Sequence, residues 1–315
     1  MNNIASTLVY GFPDAGKTSY IRDCILNGFF HRRGTTLILC FEQGEEQYDE
    51  AALAEKKTTV AFYDGGDVKA FCEDAINTLS PDRIYVEMNT WMPELKDQLP
   101  ECMKVAFAIT LIEWDTFQPH YVSHIQQIRE MVSESNQVTF RGCPQRRMLE
   151  PYSQAFRVMN PKAAYLRQDP MGYHEKAFDI FVPFSLEADE IPIDEKNYLP
   201  FWLDAFDHPE HYNGKTIRFT EPVEIRKSDA DGTLSCGRVV MTCCMADLQF
   251  MSFELDAAQS SGADAPGGQA EGWVTFDALA ETAENRFGQK KLRLKAGAIR
   301  PAQAPQQLIM DSRRR

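Results

Sequence analysis

Gly11-Phe-Pro-Asp-Ala-Gly-Lys-Thr-Ser19 is the stretch that decides the fold of this chain. It satisfies Gly-x-x-x-x-Gly-Lys-[Ser/Thr], the spacing of a phosphate-binding loop. The glycines let successive backbone N–H groups converge on a phosphate, and the lysine and hydroxyl that follow add a cation and a Mg²⁺ ligand. The flanks agree. Residues 7–10, Thr-Leu-Val-Tyr, form a short β-prone run, and residues 18–26 read as a helix with Ile21, Cys24 and Ile25 as its apolar positions. Strand, turn and helix are the geometry this chemistry needs, because the helix N-terminus adds its positive dipole. On this reading Gly11, Asp14, Ala15, Gly16, Lys17, Thr18 and Ser19 bind a nucleotide's phosphates, Lys17 at the β/γ-phosphates and Thr18 on Mg²⁺.

Outward from the loop, short apolar runs alternate with helical stretches. Strands are expected at 7–10, 36–41, 58–62, 83–86, 105–112, 138–140 and 163–166, and helices at 18–26, 68–79, 92–98, 120–135 and 151–158. That rhythm predicts an α/β fold, a P-loop NTPase parallel sheet with helices on both faces, over residues 1–188. Residues 186–196 are acidic and contain proline, and read as a linker. Residues 189–315 change character: a short helix at 198–206 precedes β-type runs at 215–219, 223–226, 236–242, 249–255, 273–276 and 291–295. Asp229-Ala-Asp-Gly232 is a turn signal, and the Ser-, Gly-, Ala- and Asp-rich stretch 258–272 reads as a flexible loop. The expectation for this half is a small, mostly-β, barrel-like domain.

Bulk properties narrow the function. The chain has 315 residues, 43% of them hydrophobic and 25% charged, which is ordinary for a globular protein. A net charge of −13 argues against a general nucleic-acid binder, which needs a basic face. No apolar run reaches the roughly 18 residues of a membrane-spanning helix. The first residues, Met-Asn-Asn-Ile-Ala-Ser, lack the basic and apolar regions of a signal peptide, so a cytoplasmic location is expected. Eight cysteines in that setting read as buried thiols or metal ligands rather than disulfides.

A phosphate loop needs carboxylate partners at the carboxyl ends of neighbouring strands. Two candidates stand there: Glu42, which follows the run 36–41, and Glu87, which closes Arg83-Ile-Tyr-Val-Glu. With Lys17 they form the candidate catalytic set, and with Thr18 they are the candidate Mg²⁺ ligands.

The order of three segments carries a family resemblance. Gly11–Ser19, then Ile-Leu-Cys-Phe-Glu-Gln-Gly-Glu-Glu-Gln-Tyr-Asp at 38–49, then Arg-Ile-Tyr-Val-Glu-Met-Asn-Thr-Trp-Met-Pro at 83–93 resemble the CobW/UreG/HypB group of P-loop GTPases, on its CobW side. The resemblance implies GTP and Mg²⁺ as ligands and a role in metal handling, zinc included. It places Glu42 and Glu45 on the acids of the group's Asn-Glu-Phe-Gly-Glu run, Asp49 on the aspartate that follows it, and Glu87 on its second-strand carboxylate. Three departures stand beside it. Residues 63–67, Tyr-Asp-Gly-Gly-Asp, hold no Cys-x-Cys-Cys metal motif; Arg141-Gly-Cys-Pro144 stands where a guanine-reading Asn-Lys-x-Asp is expected; and Thr90 replaces a glycine.

In the second half Gly237-Arg-Val-Val-Met-Thr-Cys-Cys-Met-Ala-Asp247 is the strongest signal. The stretch from Tyr212 to Val274 resembles the C-terminal domain of a bacterial family whose members are described as permease subunits. Cys243, Cys244 and Asp247 offer thiolate and carboxylate to Zn²⁺, with Cys236, His208 and His211 as further donors. Adjacent strand residues point to opposite faces, so a core thiol beside a semi-exposed one is one competing reading, and redox chemistry at the pair is another. His120 and His124 have helical i, i+4 spacing but read as an exposed polar face. Three functions therefore stand: a Mg²⁺-dependent GTP-binding or GTP-hydrolysing protein of metal homeostasis or metallocofactor handling, with a metalloprotein client; a weakly catalytic nucleotide-binding scaffold that docks a permease-type partner; and a zinc-handling protein built on Cys243 and Cys244.

Overall fold

The computed structural model describes residues 3–27, 34–228, 232–243, 247–257, 272–284 and 288–313. The expected loop 258–272, apart from its last residue, and residues 229–231 of the expected turn lie outside the described residues. The chain divides into two compact units, residues 1–150 with 162–178, and residues 151–161 with 179–315. The division expected at 188/189 thus falls at 178/179, and the helical segment 151–161 joins the second unit.

The first unit alternates strand and helix: β1 (Ile4–Tyr10), α1 (Lys17–Leu26), β2 (Thr36–Cys40), α2 (Glu50–Glu55), β3 (Thr58–Phe62), α3 (Val68–Leu79), β4 (Arg83–Glu87), β5 (Met103–Glu113), α4 (Trp114–Ser123), α5 (Ile125–Ser133) and β6 (Gln137–Arg141). After the excursion that carries α6 (Ser153–Met159) come β7 (Ala164–Gln168) and β8 (His174–Lys176). The strands form one sheet in the order β3-β2-β4-β1-β5-β6-β7-β8. Every pairing is parallel except β7 with the edge strand β8. All five residues of β2 are buried, the continuous apolar run of a strand covered on both faces. Helix α3 buries Val68, Cys72 and Ile76, four residues apart on one face, and Asp67 caps it by accepting the Ala70 N–H.

Two expectations shift. The helix expected over 120–135 is two helices, because the chain breaks at His124 (φ −134°, ψ 36°), and α4 begins earlier, with Pro119 inside it. The stretch 92–98 is a 3₁₀ helix, Pro93–Gln98.

In the second unit α6 precedes β9 (Glu190–Ile193), α7 (Glu195–Asp207), the 3₁₀ turn Pro209–Tyr212, β10 (Thr216–Phe219), β11 (Val223–Lys227), β12 (Leu234–Met241), β13 (Leu248–Asp256), β14 (Gly272–Thr275), β15 (Asp277–Glu284), β16 (Lys290–Ala296), β17 (Arg300–Pro301) and β18 (Ile309–Asp311). The sheet runs β17-β14-β11-β12-β13-β16-β15-β10-β9, with β18 beside β12. It is mostly antiparallel; β9/β10, β13/β16 and β12/β18 are parallel. Helix α7 lays Tyr198, Leu199, Phe201 and Leu203 into the core of this sheet. Two polar anchors fix it on β13: the Tyr198 hydroxyl donates to the Met251 carbonyl at 2.6 Å, and the Trp202 indole N–H to that of Ser252 at 3.1 Å.

The linker expected at 186–196 is instead ordered structure. Ile191 and Ile193 are each 1% exposed and point into the core, while Pro192 between them faces out. A proline that donates no N–H is tolerated because β9 is an edge strand. Among the described residues no helix is long and apolar enough to cross a membrane.

Candidate functional site

The loop between β1 and α1 has the backbone its glycines permit. Gly11 (φ 154°) and Gly16 (φ 77°) occupy the positive-φ region, and so does Asp14 (φ 64°). A Cβ on Gly11 would stand 2.8 Å from the Leu111 carbonyl oxygen. Lys17 opens α1 and is 4% exposed. Its Nζ donates to the carbonyls of Gly11 (2.7 Å) and Phe12 (3.0 Å) and pairs with Glu42 Oε2 at 3.0 Å.

Parallel register brings the acids to the same edge. Cys40 of β2 pairs with Glu87 of β4, so Glu42 lies just past the end of β2 and Glu87 closes β4. The Thr18 hydroxyl donates to Glu87 Oε1 at 2.9 Å, and the Tyr48 hydroxyl to Oε2 at 2.5 Å. Glu87 is 2% exposed. Burial raises its pKa, while the hydrogen bonds from Tyr48 and Thr18 and the Lys17 charge pull the other way. Beside it, burial and the Glu87 charge push the Cys40 thiol up to about 12.

A second layer braces the loop. Thr90 Oγ1 donates to the Gly11 carbonyl at 2.6 Å. Arg141, at the end of β6, reaches back with Nη1 to the carbonyls of Ala15 (2.9 Å) and Gly16 (3.0 Å), and its Nε donates to Gln168 at 3.1 Å. Ser19 donates to Glu46, which also pairs with Arg22 at 2.5 Å; the Ser19 bond, followed by Arg22, holds the Glu46 carboxyl below its ordinary value. Phe12 is buried and stacks on His120 at 4.0 Å, with the half-exposed Trp91 at 5.8 Å.

Thus the expected phosphate-loop residues, Glu42 and Glu87 come together. Asp14 and Glu45 stay exposed, and Asp49 caps α2 through the Ala52 N–H rather than facing the loop. Tyr48, Thr90 and Arg141 are the partners that motif reading missed as contributors. Nothing in the spacing of Tyr48 marks it, whereas Thr90 and Arg141 were visible as departures from a family pattern.

In the second unit Cys243 and Asp247 are both buried, with Sγ 3.7 Å from Asp247 Oδ2. Cys244 lies outside the described residues. Cys236 is 1% exposed within the core, where burial pushes its thiol up to about 12. Among the described residues, the group of three or more His, Cys, Asp or Glu ligand atoms that converge is His208, Glu210 and His211.

The family model of the DUF1980 C-terminal domain matches residues 173–309, less than half of the chain. No curated protein matches. Among solved structures, the chain is similar to the hydrogenase maturation factor HypB from Archaeoglobus fulgidus, at 12% identity and a TM-score of 0.36, over 53% of this chain and 81% of that one. It is similar to HypB from Helicobacter pylori, solved in complex with nickel, at 13% identity and a TM-score of 0.35, over 52% of this chain and 78% of that one. The signal recognition particle receptor FtsY from Elizabethkingia anophelis matches at 11% identity and a TM-score of 0.33, over 45% of this chain and 51% of that one.

Proposed function

We propose that this chain is a Mg²⁺-dependent GTP-binding protein that hydrolyses its nucleotide and serves metal homeostasis or metallocofactor handling. The observation that carries the nucleotide reading is the 2.9 Å bond between Thr18 of the loop and Glu87, 69 residues away on β4. A hydroxyl at the helix start paired with a buried strand-end carboxylate is the donor set by which P-loop proteins hold Mg²⁺. The fit extends to Lys17, whose Nζ lies among loop carbonyls and Glu42.

In this reading the loop amides and Lys17 neutralise phosphate charge, and Thr18 with Glu87 or Glu42 holds the ion. Bound Mg²⁺ would supply electrostatic stabilisation of the β/γ-phosphate oxygens. Tyr48 fixes the second oxygen of Glu87, so the carboxylate keeps one orientation. Glu87 or Glu42 would orient the attacking water. Guanine and the metal-handling role rest on the three-segment resemblance to the CobW/UreG/HypB group.

A second reading, a weakly hydrolysing scaffold whose C-terminal unit docks a permease-type partner, is favoured by one observation. Pro144 stands where the base-reading carboxylate of Asn-Lys-x-Asp would be, and Arg141, at the start of that segment, binds the loop carbonyls instead of a base. The two readings separate on turnover: phosphate release well above a Lys17→Ala control excludes the scaffold. For the shared core of both, Lys17→Ala should weaken nucleotide binding at least tenfold, and Thr18→Ala should remove its dependence on Mg²⁺. Unchanged affinity in folded Lys17→Ala protein would reject the assignment.

A further inference from the structure

We infer that His208, Glu210 and His211 bind a divalent transition-metal ion of the zinc class. The converging group shares no residue with the nucleotide site and does not include Cys243. The three side chains sit on and just before the 3₁₀ turn Pro209–Tyr212, and their candidate ligand atoms all lie within 4.8 Å of one another. His208 Nδ1 is 3.4 Å from Glu210 Oε1, and the two imidazoles lie face to face with centroids 4.8 Å apart. Two imidazoles and a carboxylate suit Zn²⁺, Ni²⁺ or Co²⁺ rather than Mg²⁺ or Ca²⁺, which prefer oxygen donors.

What separates this turn from a chance surface cluster is the support behind it. Asp204 of α7 is 5% exposed, and its Oδ2 accepts from the Tyr212 hydroxyl at 2.9 Å and meets His211 Nδ1 at 3.0 Å. A buried carboxylate that engages one ring nitrogen fixes the tautomer and leaves the Nε2 lone pair for a metal, the arrangement that accompanies ligating histidines. The turn itself is pinned to β15: Thr282 Oγ1 donates to the Pro209 carbonyl (3.3 Å), Thr282 N–H to the Asn213 side chain (2.9 Å), and Gly214 N–H to the Ala280 carbonyl (2.8 Å). Ligand-bearing residues therefore start from a held backbone, which lowers the ordering cost of binding. His208 and Glu210 are exposed, so an ion has access, and the two nearby carboxylates favour a dication. Three protein donors leave coordination positions open, the pattern of an exchangeable site rather than a closed structural one.

The test is a calorimetric Zn²⁺ titration of the full chain, wild type against His208→Ala/His211→Ala, Asp204→Asn and Cys243→Ser/Cys244→Ser. Co²⁺ absorption in parallel separates nitrogen and oxygen ligation from thiolate ligation by the sulfur charge-transfer band. The site predicts Zn²⁺ binding that survives in the cysteine variant, falls at least tenfold in the histidine variant, and weakens about tenfold in Asp204→Asn. Should Asp204→Asn fail to fold, the single variant His208→Ala at an exposed position gives the same reading. Equal Zn²⁺ affinity in the wild type and the histidine variant, or loss of all binding with the two cysteines alone, overturns the inference.

Discussion

Gly11 shows how much one residue carries at the phosphate loop. Its backbone is in a region closed to most side chains, and a Cβ would press on a main-chain carbonyl that cannot swing away. Gly11→Ala should therefore cost about 1–3 kcal/mol in chemical denaturation, besides disturbing the loop. Glu87 supplies a sign that separates function from stability. Burial raises its pKa above the ordinary 4.5. Between 4.5 and that raised value the folded chain holds more protons than the unfolded one, so this group's contribution to stability falls as pH rises through the window. Glu87→Gln removes the term: its melting temperature relative to wild type should climb from pH 4.5 towards neutrality, while Mg²⁺-dependent nucleotide binding is lost. A relative stability that drops over the same range would contradict the assignment. At this scale the motif residues were legible because phosphate chemistry fixes their spacing. Tyr48 was not, because its role arises only when β2 and β4 pair and bring position 48 over Glu87.

Elements were legible where an apolar run coincides with a simple period. The strand β3 and the helix α3 fall on the expected residues, and β2, β5 and β6 differ from expectation only at their ends. Composition misled at β9, where acids and a proline surround two core isoleucines; a two-residue alternation is too short to stand out from a linker. Ile193→Ala should cost about 2–4 kcal/mol in denaturant unfolding, as for a fully buried Ile. Pro192→Ser, on the exposed side of the same edge strand, should stay within about 0.5 kcal/mol. Equal effects of the two substitutions would mean that 190–193 is a linker after all. The early start of α4 was hidden for a different reason: Pro119 lies inside the helix, where proline is normally disfavoured.

For the whole molecule, the α/β rhythm followed by β-type runs announced a parallel sheet and then a small, mostly-β, barrel-like domain; the parallel-rich sheet is there, and the second unit is one mostly antiparallel sheet running from β17 to β9 among the described residues. What the rhythm did not reveal is that residues 151–161 leave the first unit for the second before β7 and β8 complete the first sheet, since contacts distant in sequence decide that allegiance. The central claim, a guanine-nucleotide site built on Lys17, Thr18 and Glu87, is tested most directly by the melting temperature with Mg²⁺ and GTP, GDP, ATP or no nucleotide. A ligand at 100 times its Kd stabilises by about 2.7 kcal/mol, a shift of several degrees for a unit of this size. The account predicts that shift with GTP and GDP in the wild type, none with ATP, and none with any nucleotide in Lys17→Ala. An unchanged melting temperature in wild-type protein at saturating GTP and GDP would contradict it.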